Sequence, residues 1–267
     1  MHIVVCTKQT PDSAAKLTVD EAGNVSWGDS PIIINPWDEY AVEEALLIKE
    51  RFDGEPRVTV ISMGPEPALE ALKHAIAMGC DEGIRIWDDA FSGSDTLATS
   101  YVLARAIEKM GDVDLVLFGK SAIDSQTGQV AVEVGRRLGF APLTYVIKIA
   151  ELNLEGRSIT VERFLEQGRQ IVKAPLPAVV GTVKGINEPR YPSFIGIRKA
   201  TRAEYPVWSA ADIGAEPEKV GAAGSGVRWE RIFPPPAREG AAEIIQADTS
   251  EEVARALVEK LLAEKVI

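Results

Sequence analysis

The stretch FSGSDTLATSY, Phe91 to Tyr101, crowds Ser94, Asp95, Thr96, Thr99 and Ser100 into the junction between a strand-like run, GIRIWDD, and a helix-like run, YVLARAIEKM. Residues of these types just ahead of a helix have two uses. Ser94 or Asp95 can cap the helix, a side-chain oxygen accepting one of the first-turn N–H groups that have no helical partner. Alternatively, those N–H groups, with the hydroxyls of Thr96 and Thr99 three residues apart on one face, can hold a phosphate. A second junction runs Gly119-Lys120-Ser121-Ala122-Ile123-Asp124-Ser125-Gln126-Thr127-Gly128-Gln129. Its glycines permit close backbone approach, and its hydroxyls and amides suit a ribose or phosphate just before a helix; a routine connection is the other reading. A diphosphate needs more donors than a monophosphate, so two cradles on different strand ends would imply a dinucleotide.

Several chemistries lack material. No GxGxxG and no GxxxxGK[ST] occurs, so the common dinucleotide fingerprint and the triphosphatase loop are both missing. His2 and His74 are the only histidines, which leaves little for a zinc site or a histidine-based triad. Cys6 and Cys80 lie far apart and outside any CxxC pattern, so structural thiols in a reducing cytoplasm are expected. With 40 acidic against 29 basic residues the net charge is -11, which opposes nucleic acid and anionic lipid as partners. The apolar run from His2 to Cys6 is too short for a signal core or a membrane span, so no membrane insertion is expected.

The elements that must position these residues follow a βαβα rhythm. Apolar runs HIVVCTK, RVTVISMG, GIRIWD and VDLVLFG alternate with helix-length segments beginning near Trp37, Glu66, Asp95 and Gly128. Strands apolar throughout are those buried on both faces, which predicts a parallel sheet covered by helices on each side. KLTVDEAGNVSWG reads as a hairpin inserted after the first strand, because two strand-like runs flank the turn-prone EAGN. From Pro142 the character changes to strands, TYVIKIAEL, RSITVERFL, GRQIVKAPL and PAVVGTV, which extend the sheet or form a small adjoining one. Ligands of open parallel sheets sit beyond the carboxyl ends of the strands. That rim collects Cys6-Thr7-Lys8, Met63-Gly64, Ser94 to Ser100 and Gly119 to Gln129.

At 267 residues the chain can hold one large α/β domain with an extension. The expected division is a nucleotide-binding domain over 1–187 and, over 188–267, a turn-rich extended arm ordered by another subunit and a terminal helix. The last of these, TSEEVARALVEKLLAEK, offers Thr249 or Ser250 as cap and Val253, Leu257 and Leu261 on one stripe.

NPWDEYAVEEAL, VISMGPEPALEALKHAIAMGCDEGI, LVLFGKSAIDSQTGQ and LPAVVGTVKGINEPRYPSFIGIRKA together resemble the beta subunit of electron transfer flavoproteins, in order over about residues 1–205. The resemblance implies an α/β, Rossmann-like parallel-sheet sandwich of the adenine nucleotide alpha hydrolase-like kind. It implies a heterodimer with an FAD-carrying alpha subunit and an adenine nucleotide in this chain. Carried over by position, the cofactor-binding residues would be Cys6, Asn35, Pro36, Trp37, Asp38, Met63, Gly119, Lys120, Ser121, Ala122, Ile123, Asp124, Ser125, Gln126 and Thr127. Phe194, Ile197 and Lys199 match the loop that recognises acyl-CoA dehydrogenases.

Members of this family hold either AMP or a second FAD, the latter often in electron bifurcation. The DTxATS pattern, with Asp95, Thr96, Ala98 and Thr99, looks like the FAD kind, whereas SQTGQ at Ser125 to Gln129 is close to the AMP kind. Ser13 stands where AMP-type members place an aromatic against the alpha-subunit flavin; Trp37 is the alternative aromatic, against plain packing at a helix start. The favoured expectation is an FAD-bearing subunit that accepts a hydride from NADH, then feeds the alpha-subunit FAD and a ferredoxin or flavodoxin. The others are an AMP-bearing carrier between acyl-CoA dehydrogenases and a quinone reductase, and a non-redox adenine-nucleotide sensor.

Overall fold

The computed structural model describes residues 1–52, 54, 56–236 and 242–267. The chain forms two compact units, Met1–Ile232 and Phe233–Ile267. In chain order the strands are β1 (His2–Thr7), β2 (Gln9–Pro11), β3 (Thr18–Val19), β4 (Val25–Ser26), β5 (Ile32–Ile34), β6 (Arg57–Met63), β7 (Glu82–Ile86), β8 (Leu115–Gly119), β9 (Ala141–Asn153), β10 (Ser158–Leu165), β11 (Gly168–Pro175), β12 (Ala178–Thr182) and β13 (Val207–Trp208). The helices are α1 (Pro36–Arg51), α2 (Leu69–Met78), α3 (Thr96–Met110), α4 (Val130–Leu138), α5 (Phe194–Arg202), α6 (Gly221–Gly224) and α7 (Ser250–Ala263). Among the described residues no helix is long and apolar enough to cross a membrane.

Nine strands make one sheet in the order β11-β10-β9-β12-β8-β1-β6-β7-β13. The central strands are parallel: Ile3 of β1 lies beside Val58 on one side and Leu115 on the other, and Leu115 also registers with Ala178 of β12. The late strands extend this sheet rather than forming a second one, β9, β10 and β11 running antiparallel as a meander. Successive side chains of a strand face opposite ways, so β1 divides the core. Ile3 and Val5 pack with α1, α2 and Ala200 of α5, whereas Val4 and Cys6 pack with Tyr101, Val102 and Ile107 of α3 and Val134 of α4. Each fully buried Ile or Leu in these layers contributes about 1.5–3 kcal/mol. The hairpin forms as β3 and β4, pairing Thr18 with Ser26 and Val19 with Val25.

The stretch after Asn187 departs from an extended arm. Residues through Ile232 belong to the first unit. Ser193 caps a three-turn-scale helix, α5, its side chain accepting from Gly196 N. Val207 and Trp208 then add β13 to the sheet edge beside β7. The capping signals for the terminal helix are realised in the second unit: Thr249 and Glu252 form a reciprocal box at the start of α7.

Candidate functional site at the strand-end rim

The strand order locates a switch point. The chain runs β1, β6, β7 outward on one side, then crosses back to place β8 and β12 on the other side of β1. Loops leaving the carboxyl ends of β1 and β8 therefore diverge, and the crevice between them is where an open α/β sheet receives its ligand.

Asn35 and Asp38 build that crevice from beneath. Asn35 is 1% exposed and Asp38 5%. The Asp38 carboxylate accepts from Lys8 N at 2.8 Å, from Gly119 N at 3.2 Å and from Asn35 Nδ2 at 2.9 Å, tying the end of β1 to the end of β8. Asn35 also donates to the Ser121 carbonyl at 2.9 Å and accepts from Ile123 N at 3.1 Å. These side chains are spent on protein groups, so they position the loop rather than reach a ligand. Burial pushes the Asp38 carboxyl up to about 7, against the hydrogen bonds from Lys8, Asn35 and Gly119 that favour its ionised form. Gly119 has to be glycine: a Cβ there would lie 2.5 Å from both Asp38 Oδ1 and the Trp37 carbonyl carbon.

Above this base the loop presents donors. Among the described residues the backbone N–H groups of Ser121, Ala122, Thr127 and Gly128 have no protein acceptor, nor do the hydroxyls of Ser121, Ser125 and Thr127 a partner. Gln126 takes a left-handed φ of 52°, uncommon for a residue with a side chain and typical of functional loops. Lys8 pairs with Asp124 at 2.7 Å and Lys120 sits 4.5 Å over the Trp37 ring. Neutral donors beside two ammonium groups, with no metal-binding cluster among the described residues, fit a ribose and phosphate. Cys6 and Met63 flank the rim through their strands; the Cys6 thiol is buried and pushed well above its ordinary value, by burial first and by Asp38 second.

The α3 junction resolves differently. Asp95 is the cap, accepting from Ala98 N at 3.0 Å. Its other oxygen accepts from Gly226 N at 2.7 Å and Val227 N at 3.0 Å, while Asp95 N donates to Ser225 Oγ at 2.9 Å. Although burial opposes it, these N–H groups hold the Asp95 carboxyl below the ordinary range. Ser94 Oγ accepts from Gly221 N at 3.1 Å. Ser100 donates to the Leu97 carbonyl and accepts from Arg137 Nε at 3.0 Å. Of the crowded hydroxyls, Thr96 alone faces the loop after β8: its Oγ1 bonds Gln129 Oε1 at 3.0 Å, joining the starts of α3 and α4. Thr99 is half-buried with no side-chain partner among the described residues.

Other site-building residues gave no clear signal in the sequence. Glu43 and Glu44, buried on α1, clamp the NEPR segment: Arg190 bonds Glu43 through Nε at 2.8 Å and Nη2 at 2.9 Å, and Asn187 bonds Glu44 at 3.1 Å. This clamp delivers α5. There Phe194 is 89% exposed and Ile197 48%, the latter at the edge of an open groove beside Ile33 and His74, and Lys199 donates to the Cys80 carbonyl at 3.0 Å.

A doubly wound α/β domain with its donor-rich loop at the β1/β8 switch point defines a class that takes a ligand at the strand ends. Comparisons with known proteins make this specific. An electron transfer flavoprotein domain matches residues 29–213. The chain is 37% identical to the electron transfer flavoprotein subunit beta of Megasphaera elsdenii, over the full length of both. It is 40% identical to the caffeyl-CoA reductase-Etf complex subunit CarD of Acetobacterium woodii, again over both full lengths. With protein FixA of Azorhizobium caulinodans it shares 42% identity over 92% of this chain and 88% of that one. The chain belongs to the electron transfer flavoprotein family as a beta subunit, the partner of an alpha subunit in electron transfer.

Proposed function

We propose that this beta subunit holds FAD across the crevice between the loop after β8 and the start of α3. The observation that carries the reading is the Thr96–Gln129 hydrogen bond, which makes the two strand-end loops one continuous wall. An adenylate would lie against the free N–H groups and hydroxyls of Ser121 to Gly128, with Asn35 and Asp38 fixing that loop. Thr96 and Thr99 would supply the additional hydroxyls that the second phosphate calls for. FAD held there would supply two-electron acceptance and one-electron transfer, the chemistry that would link NADH to the alpha-subunit FAD and to a low-potential carrier such as ferredoxin or flavodoxin. The chain's own residues bind and orient; none has to act as acid or base. The name of the Acetobacterium woodii relative, a subunit of a reductase–Etf complex, supports a role inside a larger redox assembly.

A second reading also has an observation behind it. Asp95 sets a carboxylate at the start of α3, where a second phosphate would look for backbone donors. In that reading the subunit holds AMP and relays electrons from acyl-CoA dehydrogenases to a quinone reductase. Nucleotide released by denaturing the purified heterodimer separates the two. Two FAD per heterodimer is the expected result. One FAD with one AMP would establish the second reading, and no flavin at all would favour an adenine-nucleotide sensor.

A further inference from the structure

The two loops that flank the switch point are joined twice, once below and once above. Lys8 follows β1 directly, and Asp124 lies in the loop that leaves β8. Below, the joint is buried: Asn35 N donates to the Lys8 carbonyl at 2.8 Å, Asp38 accepts from Lys8 N and Gly119 N, and the Asn35 side chain bonds Ser121 and Ile123. Above, Lys8 Nζ donates to both carboxylate oxygens of Asp124, at 2.8 and 2.7 Å, with the two side chains 47% and 31% exposed. A turn closed by Gln126 N on the Ala122 carbonyl at 2.8 Å carries Asp124 at its middle. The N–H groups left without a protein acceptor among the described residues stand on either side of it, Ser121 and Ala122 before, Thr127 and Gly128 after. A ligand held by both sets therefore lies along a stretch whose middle is tied to Lys8. A buried carboxylate with three donors resists opening, whereas an exposed ion pair is worth little and parts readily. The ring opens at its upper joint.

We infer that the Lys8–Asp124 pair is a latch across the β1/β8 crevice, which parts for an adenine nucleotide to enter or leave. The inference rests on the nucleotide reading of this crevice and deepens it: Lys8 sets the rate of exchange and spends its charge on Asp124, leaving Lys120, 4.5 Å over the Trp37 ring, as the other cation of the rim. A latch adds the same barrier to entry and to exit, so it changes both rates and leaves the affinity alone. A direct contact to the ligand would instead act mainly on release. The worth of an exposed pair sets the size of the effect at about two- to fivefold.

The test uses the intact heterodimer, stripped of its beta-subunit nucleotide and reloaded with adenine-labelled AMP, the adenylate that AMP and FAD share. Association of the label, and its release into an excess of unlabelled AMP, are timed for the wild type, Lys8→Met, Asp124→Asn and the double variant K8M/D124N. Each single variant should speed association and release together, about two- to fivefold, with affinity within about twofold of the wild type. K8M/D124N should exchange no faster than either single variant, because the pair it removes is already broken. Raising the salt from about 0.1 M to about 1 M, which shortens the screening length from about 10 Å to about 3 Å, should narrow the gap between wild type and variants. If Lys8→Met speeds release alone and Asp124→Asn changes nothing, Lys8 touches the ligand and the latch is wrong. If no variant moves either rate, the pair does not guard the crevice, and the nucleotide reading stands without it. A heterodimer that takes up no labelled AMP would overturn that reading and the latch together.

Discussion

Two halves of the same rim use the same residue types in opposite ways. At the loop after β8, acid and amide side chains lie underneath: Asn35 and Asp38 are buried, bond only protein groups and leave N–H donors facing outward. At the start of α3 the acid lies on top: Asp95 takes up the first-turn donor itself and pins residues 225–227 over it. An Asp near a helix start is thus a cradle builder or a cradle filler according to which end of the carboxylate the chain reaches first. In the first half several loop amides keep no protein acceptor; in the second the Asp95 carboxylate already holds the Ala98 amide.

The contrast can be broken from either side. The largest effect is expected at Gly119→Ala. Its Cβ would meet backbone and the Asp38 carboxylate, with no flexible neighbour to yield. Destabilisation of about 3 kcal/mol or more, the upper end for overpacking, should appear in thermal unfolding, with bound nucleotide lost. Gly196→Ala faces an equally close carbonyl but acts on the packing of α5 against α2, so destabilisation should appear with bound nucleotide kept.

Next comes Asp38. Its folded-state value of about 7 lies above the 3.8 of the free carboxyl, so the folded protein holds the proton more tightly than the unfolded chain. The stability this contributes is full below about pH 4 and is lost as pH rises through 7. Unfolding free energy of the wild type relative to Asp38→Asn should therefore decline across that window and level off above it. A flat difference would mean that Asp38 ionises normally and that its burial has been misjudged.

Asp95→Ala should cost about 1–2 kcal/mol, the loss of one cap and of the two N–H partners in the 225–227 segment, and should open residues 219–227 to proteolysis. Nucleotide stoichiometry should be unchanged, because the carboxylate is already engaged by the Ala98, Gly226 and Val227 N–H groups. The smallest effect is expected for Thr96→Val: stability within about 0.5 kcal/mol of wild type. FAD should dissociate about two- to tenfold more readily, the worth of one neutral hydrogen bond.

What could be read from the sequence was what depends on neighbours along the chain. The alternation of apolar runs, the hairpin around EAGN, the Thr249 box and the loop from Gly119 are all local patterns, and each appears in the fold. The strand order was not legible, since β8 reaches β1 by a crossover that no local pattern records, and with it went the switch point. Asp38 looks like any acid in a helix's first turn until the ends of β1 and β8 converge on it. Glu43 and Glu44 carry no local sign of burial, because their partners Asn187 and Arg190 lie over 140 residues away in the chain. Helix α5 was missed because it is short and follows prolines at 189 and 192, even though Ser193 and Gly196 carry the capping signal.

The central claim is that one wall runs from the loop after β8 to Thr96 and is long enough for a dinucleotide. A crystal structure of the heterodimer tests it most directly. The account predicts adenylate density against Ser121 to Gly128, with a second phosphate continuing between Gln129 and Thr96. Density that ends at a single phosphate and leaves Thr96 bonded only to Gln129 and Glu133 would contradict it.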